Sequence, residues 1–520
     1  MSWPFGGPPA AAGTVHLVGG GPGDPGLVGL RAARLLSTAT VVAYDRLAPA
    51  EALTLCAEEC TQIYVGKLPD RHALPQEEIN ALLVERARAG EAVVRFKGGD
   101  PFVLGRGSEE AQACAAAGVP FEVVPAVTAG VAVPAYAGIP VTHRGVAPAF
   151  AVVTGHEDPT KPGTQVDYAA LAAFPGTLLL YMGVGRLAEI AAALVAAGKP
   201  PGTPVALVRW GTTPRQETLV GTLADIAGAV GATGFANPAV IVVGDVVALR
   251  EEIAWYEQRP LHGIAVLVPR TRHQASALTE RLRALGAEPV EAPTIAIEPT
   301  RDPERLRDCV ARLADGAWDW LALTSANGVD GLWAQVQALG ADARLLAGVR
   351  IAAVGPGTAD ALATHGLRAD LVPDPFTTRG LADALVGGHR PARVLLPRAD
   401  IATPTLAEAL RDAGWDTTEV EAYRTVPVPE LPSAVRERLA TGDIDVVAFA
   451  SSSTARNFVR LLGGPPHAPL RVASIGPVTS ATCRELGLRV DAEADPHDVD
   501  GLAAAILAAT GMRGNAGGGA

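Results

Sequence analysis

Short apolar runs alternate with amphipathic segments along this 520-residue chain, and their order predicts an α/β organisation. Val15-His16-Leu17-Val18 reads as a strand, and Leu27 to Leu36 behind it reads as a helix. Ala92 to Phe96 is a further strand, and the alternation continues through the first half. A polar helical stretch, Leu249 to Gln258, then runs into Arg259-Pro260-Leu261-His262-Gly263, where Pro260 and Gly263 mark a boundary. The apolar run Ile264 to Val268 opens the second half.

That second half repeats itself. Val268-Pro269-Arg270, followed by a helix and Gly286, recurs as Leu396-Pro397-Arg398 with its own helix and Gly414, 128 residues on from 270 to 398. Leu323-Thr324-Ser325-Ala326-Asn327 recurs as Phe449-Ala450-Ser451-Ser452-Ser453, and Val354-Gly355-Pro356-Gly357-Thr358 as Ile475-Gly476-Pro477-Val478-Thr479. Three matched segments in one order predict duplicated α/β halves, an arrangement that usually encloses a ligand.

Composition narrows the class. The length suggests about two to four domains, and a hydrophobic content of 48% with a mean hydropathy of +0.22 supplies core for them. The opening MSWPFGGPPAAAG lacks the basic and apolar regions of a signal peptide and reads as a loose tail, and no apolar run approaches a membrane span. Five scattered cysteines without a C-x-x-C pair predict a reduced, cytoplasmic protein without structural zinc. His273, His365 and His497 are scattered too, so no metal is expected. A net charge of −12 disfavours a nucleic-acid partner.

The candidate chemistry begins at Gly19 to Gly26, GGGPGDPG, which joins the first strand to its helix. Gly21, Gly23 and Gly26 match G-x-G-x-x-G, and Asp45 lies about where a dinucleotide fold places its ribose-binding acid, so NAD is the obvious reading. Pro22 and Pro25 oppose it, because they lack the N–H donors that a pyrophosphate needs. A second glycine loop, Lys97 to Gly107, follows the strand at Ala92 to Phe96, and Asp24, Asp45 and Asp100 suit a cationic ligand. S-adenosylmethionine is such a ligand, with a sulfonium, an ammonium and no phosphate.

GGGPGDPG, Tyr44-Asp45-Arg46-Leu47, Val65-Gly66-Lys67, GGDPFVLGRG, Val124 to Ala129, Ala135 to Arg144 and Tyr181-Met182-Gly183 together resemble the uroporphyrinogen-III C-methyltransferases of the tetrapyrrole methylase class. The resemblance covers roughly the first 250 residues. It implies a two-subdomain fold and a homodimer formed through this domain. By resemblance Asp45 accepts the proton lost on methylation and Lys67 donates one. On the residues alone, Asp45 also suits a helix cap and Lys67 a surface amine. The chain has only four lysines, Lys67, Lys97, Lys161 and Lys199, and an amine can give and take protons as a guanidinium cannot. The resemblance assigns cofactor contacts to Pro22, Gly98, Gly99, Asp100, Val103, Thr128, Ala129, Met182 and Gly211, although Met182 alone reads as core packing. Ala126 departs from the family's usual glycine, and its methyl would demand a backbone shift if φ were positive. The implied substrate has eight carboxylates, which sets the acidic chain a problem for local arginines such as Arg46, Arg95, Arg106 and Arg144.

The second half, through TSANGV, AVGPGTA, Phe376 to Leu381, Leu396 to Asp400, Ala422 to Val426 and Ser474 to Thr479, resembles uroporphyrinogen-III synthase. That family implies a two-lobed α/β fold with interleaved lobes. The expected organisation is a tail at 1–13, a methyltransferase at 14–258, a linker at 259–263, a synthase at 264–509 and a tail at 510–520. Lobe one takes 264–297 with 426–509, and lobe two takes 299–425. Substrate contacts are expected from Ser325, Thr358, Ser451 and Thr479, with Tyr423 as an acid for the leaving hydroxyl or as an interlobe packing residue. The implied activity is bifunctional: closure of hydroxymethylbilane to uroporphyrinogen III, then methylation at C2 and C7 to precorrin-2. A methylase of a later corrin intermediate, or a methyltransferase fused to a non-catalytic tetrapyrrole sensor, are the rivals.

Overall fold

A computed structural model describes residues 6–66, 74–157, 164–269, 272–466 and 469–511. The chain divides into two compact units. The first runs to Val266 and takes in Glu280–Pro289, and the second comprises Leu267–Thr279 and the chain from Val290 onward.

The first unit holds two sheets. Strands β1 (Thr14–Gly19), β2 (Val41–Tyr44), β3 (Thr61–Tyr64), β4 (Ala92–Lys97) and β5 (Phe121–Val124) form a parallel sheet in the order β3-β2-β4-β1-β5. Its central strands are buried along nearly their whole length, as expected when helices cover both faces. The order reverses direction beside β1 and β4, so the loops after those strands flank a crevice at the carboxyl edge. Strands β6 (Phe150–Thr154), β7 (Thr177–Tyr181), β8 (Pro204–Arg209), β9 (Glu217–Thr222) and β10 (Ala239–Val243) form a mixed sheet in the order β6-β7-β10-β8-β9.

Three expectations for this unit meet tertiary detail. Part of the predicted loose tail is held down: Ala10 N donates to Thr38 Oγ1 (2.9 Å), Ala11 N to His16 Nε2 (3.1 Å) and Arg31 Nη1 to Gly6 O (3.0 Å). The predicted helix at Leu249 to Gln258 is a 3-10 turn and then one short helix, Arg250–Ile253. It stops because Trp255 and Tyr256 dock against Tyr136, at ring separations of 5.1 and 4.8 Å, and Arg259 stacks on both. The predicted linker is packed, with Leu261 fully buried and its N–H donating to Leu285 O (2.9 Å).

The second half folds around two more sheets. Strands β11 (Ala265–Val268), β12 (Glu288–Glu291), β13 (Ile295–Pro299), β14 (Trp320–Leu323), β15 (Arg350–Ala353), β16 (Arg393–Ala399), β17 (Asp416–Pro427), β18 (Val446–Phe449), β19 (Arg471–Ser474) and β20 (Ala492–Glu493) give the orders β12-β11-β18-β19-β20 and β13-β17-β16-β14-β15. The first and last parts of this half therefore share one sheet and the middle forms the other, which is the interleaving that the resemblance implied. The repeat is visible in space: β11, β18 and β19 hold the places of β16, β14 and β15, and an isolated bridge from Ala352 to Leu371 stands where β20 pairs with β19. The change of sheet falls slightly outside the predicted lobe limits. Ile295–Ile297 pair with Thr425–Pro427, so both stretches belong to the middle lobe's sheet.

Among the described residues no helix is long and apolar enough to cross a membrane, and no group of three His, Cys, Asp or Glu side chains could hold a metal ion.

Candidate functional site

The loops at the carboxyl edge of the first sheet are stitched together by their own backbones. Gly21 N donates to Gly99 O (3.2 Å), Gly99 N to Gly21 O (2.6 Å), and Gly20 N to Lys97 O (2.8 Å). Gly98 must be glycine: a Cβ there would lie 2.4 Å from Leu47 O, against backbone that a rotamer change cannot clear. The glycines thus bring the turn after β1, the Lys97 to Gly107 loop and the Asp45 to Leu47 loop into one surface.

The second sheet closes the other side. Asp24 N donates to Thr212 Oγ1 (3.0 Å), Tyr136 OH to Asp24 Oδ2 (2.7 Å), and Thr128 Oγ1 lies 2.6 Å from Tyr181 OH, which also accepts from Gly130 N. Burial raises the pKa of Tyr181, so its phenol stays protonated and can serve both neighbours. Gly211 packs against Val133, leaving no room for a Cβ. Pro22, Gly98, Gly99, Asp100, Val103, Thr128, Ala129, Met182 and Gly211 all lie on the loops that meet here. Met182, which by itself reads as core, is 47% exposed at φ +59°.

Backbone strain is concentrated around this cleft. Among the described residues the non-glycine positions in the left-handed region are Leu104, Arg106, Met182, Trp210 and Thr212. Two lie in the second glycine loop, one follows β7 and two follow β8. Each such conformation costs about 1–3 kcal/mol, a cost that structures concentrate at functional sites. Ala126 is not among them, so its methyl demands no strained backbone.

The three aspartates that suggested a cationic ligand are already engaged. Asp24 accepts from Gly26 N (2.7 Å) as well as from Tyr136. Asp100 accepts from Phe102 N (2.8 Å) and Ala126 N (3.0 Å), and so fixes the second loop and the turn after β5. Asp45 accepts from Leu47 N (3.1 Å) and from Arg95 Nη2 (3.1 Å). A carboxylate oxygen retains a second lone pair, so these contacts orient the acids without exhausting them. Arg95, expected among the arginines available to a polyacid, is instead buried between Asp45 and Glu110. Arg46, Arg106 and Arg144 are exposed. Arg46 leans over the Trp210 ring at 5.9 Å, and Arg106 pairs with Glu109 at 2.8 Å. Exposed Leu47, Phe102, Leu104 and Val127 add an apolar surface on the same loops. Lys67 lies outside the described residues.

In the second half, Tyr423 OH lies 2.9 Å from Ser325 Oγ, which also accepts from Gly328 N (3.1 Å) and caps the helix Ala326–Ala338. Both side chains line a cavity of about 190 Å³ with Thr324, Thr378, Arg398 and Thr403. Arg398 is held there by Glu419 (2.5 Å) and by Ala402 O (2.8 Å). Thr358 lies buried in the first turn of the helix after β15. Ser451 and Thr479 hold the corresponding places after β18 and β19, on the other lobe's sheet; Ser451 accepts from Thr454 N (3.3 Å) and caps its helix.

Two family models match the chain: tetrapyrrole (corrin/porphyrin) methylases over residues 14–227 and uroporphyrinogen-III synthase HemD over residues 276–504. The porphyrin biosynthesis protein HemD of Ruminiclostridium josui is 37% identical over 482 residues, covering 92% of this chain and 94% of that one. The uroporphyrinogen-III C-methyltransferase of Bacillus subtilis is 45% identical over 281 residues, 54% of this chain, and the match spans only 58% of that relative. Among solved structures, the uroporphyrin-III C-methyl transferase of Thermus thermophilus complexed with S-adenyl homocysteine is 42% identical, with 45% of this chain and 99% of that one covered at a TM-score of 0.40.

Proposed function

This chain belongs to the family of the porphyrin biosynthesis protein HemD, a tetrapyrrole methylase joined to a uroporphyrinogen-III synthase, and from that premise we propose how its two halves divide the work. The synthase half, residues 264–509, closes hydroxymethylbilane to uroporphyrinogen III. The methylase half, residues 14–258, transfers methyl groups from S-adenosylmethionine to C2 and C7 and yields precorrin-2.

The observation that carries the methylase reading is the strained, stitched cleft between the two sheets of the first unit. Its cradle fits the cofactor: small backbone-rich turns at Pro22, Gly98, Gly99, Val103, Ala129 and Gly211, hydroxyl Thr128, an exposed thioether at Met182 and the fixed acid Asp100. When bound, S-adenosylmethionine supplies an electrophilic methyl group. Holding donor and pyrrole in one orientation contributes roughly 7–11 kcal/mol of rate acceleration. Asp45, oriented by Arg95 and Leu47 N, accepts the proton that the macrocycle loses as the methyl group is added to its substituted ring carbon, and Lys67 returns a proton. Arg46, Arg106 and Arg144 meet substrate carboxylates, and their local charge offsets the repulsion of an acidic protein.

In the synthase half, Tyr423 gives its proton to the departing hydroxyl, which leaves as water, while Ser325 holds the phenol in place. Ser325 and Thr358 on one lobe and Ser451 and Thr479 on the other meet the substrate with their turns. The protein acts as a homodimer through the methylase half, which sedimentation of the full chain measures. It works in the cytoplasm, a compartment suited to its free thiols at Cys56, Cys60, Cys114, Cys309 and Cys483.

Uroporphyrinogen III supplied to the full chain with methyl-labelled S-adenosylmethionine tests the methylase reading. Two labelled methyl groups per macrocycle are expected. Cofactor turnover without label in the macrocycle, or no turnover, refutes it.

A further inference from the structure

Behind Asp45 lies a buried set of charges of which the mechanism above uses only Arg95. Arg95 and Lys97, two residues apart on β4, both reach Glu110 in the helix Gly107–Ala116, with Arg95 Nε and Lys97 Nζ each 3.0 Å from Glu110 Oε1. Gln76 Nε2 adds a third donor to the same oxygen at 3.3 Å. Arg95 Nη2 then reaches Asp45 Oδ2 at 3.1 Å, and its Nη1 donates to Phe96 O (3.1 Å). Side-chain exposure is 0% for Glu110, 4% for Arg95 and 5% for Lys97, but 27% for Asp45. The set therefore carries two positive and two negative charges and reaches the cleft only through Asp45.

Stability does not explain such a set. Burying ions costs several kcal/mol each, and well-packed apolar side chains in the same volume are often as stable or more so. What buried charges provide is a fixed field at the one member that meets solvent, and here that field bears on the carboxylate that must stay ionised until it takes a proton. Burial and the like charge of neighbouring Arg95 lower the pKa of the Lys97 ammonium from its ordinary value, while Glu110 and Asp45 pull it back up. The other charged group beside Lys97 on that helix is Glu109, which is exposed and paired with Arg106. Arg46, next to Asp45 in sequence, is turned toward Trp210.

We propose that Lys97 and Glu110 are positioning residues for methyl transfer: through Arg95 they set the charge that Asp45 experiences and hold its carboxylate aimed into the cleft. This rests on the reading of Asp45 as the proton acceptor. Loss of either partner should then act in opposite directions. Lys97→Met leaves Glu110 unbalanced, draws Arg95 away and makes Asp45 easier to protonate. Glu110→Gln frees Arg95 for Asp45 and makes it harder to protonate. The double variant is neutral again and should resemble the parent.

The test reads Asp45 without turnover. Infrared difference spectra of the full chain against Asp45→Asn follow carboxylate protonation with pH in each background. The midpoint should rise by about half a unit to one unit in Lys97→Met, fall by about as much in Glu110→Gln and return in the double variant. The acid limb of the methyl-transfer rate should move with it. If Lys97→Met does not fold, Glu110→Gln and the double variant still carry the comparison. Shifts of the same sign, no shift, or a double variant that stays displaced overturn the relay. Variants that show these shifts, in a protein whose parent chain transfers no methyl group, overturn the functional reading and leave the relay standing.

Discussion

Gly98→Ala is the sharpest perturbation of the methylase cleft, because the obstruction is backbone on both sides. The added Cβ would sit 2.4 Å from Leu47 O and 2.6 Å from its carbonyl carbon, and Leu47 N is the group that orients Asp45 Oδ1. No rotamer relieves that contact, so the Asp45 loop or the Gly98-Gly99 turn must move. Overpacking of this kind costs roughly 1–3 kcal/mol. If the bound geometry carries that cost, affinity for S-adenosylmethionine weakens about 5- to 150-fold. Calorimetric titration of the full chain measures it, with turnover on uroporphyrinogen III alongside. Gly228→Ala is the control: it is exposed in the helix Ile226–Thr233 with nothing within 4 Å, and should stabilise that helix by up to about 1 kcal/mol while leaving binding unchanged. Affinity and turnover within twofold of the parent in Gly98→Ala would refute the close approach of the two loops as the basis of the cradle.

Asp45→Asn should keep cofactor affinity within about threefold and lower methyl transfer by roughly 10²- to 10⁴-fold, the range of general-base catalysis; undiminished turnover returns Asp45 to a structural role. Tyr423→Phe should leave the second unit folded, as judged by near-ultraviolet dichroism, and slow formation of uroporphyrinogen III about tenfold or more. A rate equal to the parent's would mean that shape and turn donors alone carry ring closure. His16 gives the first unit a pH dependence: burial lowers its pKa from 6.5, so the unfolded chain takes up a proton that the fold refuses, and stability falls as pH drops from about 6.5. Glu122, held below 4.5 chiefly by its hydrogen bond to Arg31, loses its contribution at lower pH still. His16→Gln should flatten only the upper part of the melting curve against pH, and an unchanged slope there would contradict the assignment.

The parts of this structure legible in sequence are those written in local chemistry. Glycine and proline punctuate the turns after β1 and β4, buried parallel strands read as continuous apolar runs, and the duplicated lobes appear as a repeat before any sheet is seen. Pairings between distant residues were not legible. Arg95 is 15 residues from Glu110 and 50 from Asp45, and nothing local marks it as buried among charges and not free for a substrate. The helix predicted through Gln258 ends at Ile253 because aromatic docking on Tyr136 outweighs helical spacing, a tertiary effect. The lobe limits moved because β13 and β17 pair across more than a hundred residues. The turn-holding hydrogen bonds of Asp24 and Asp100 are likewise tertiary and carry no local signal, and Tyr136 and Tyr181 join the two sheets through hydroxyls that no motif reveals.

The measurement that tests the central claim most directly is product identity from hydroxymethylbilane, supplied to the intact protein with and without S-adenosylmethionine. Without the cofactor the chain should give uroporphyrinogen III, in excess of the type I isomer that forms spontaneously. With it the product should be precorrin-2, carrying two added methyl groups on the same inverted skeleton. Type I product alone in both reactions, or a type III product that never gains methyl groups, would contradict the account for the synthase or the methylase half respectively.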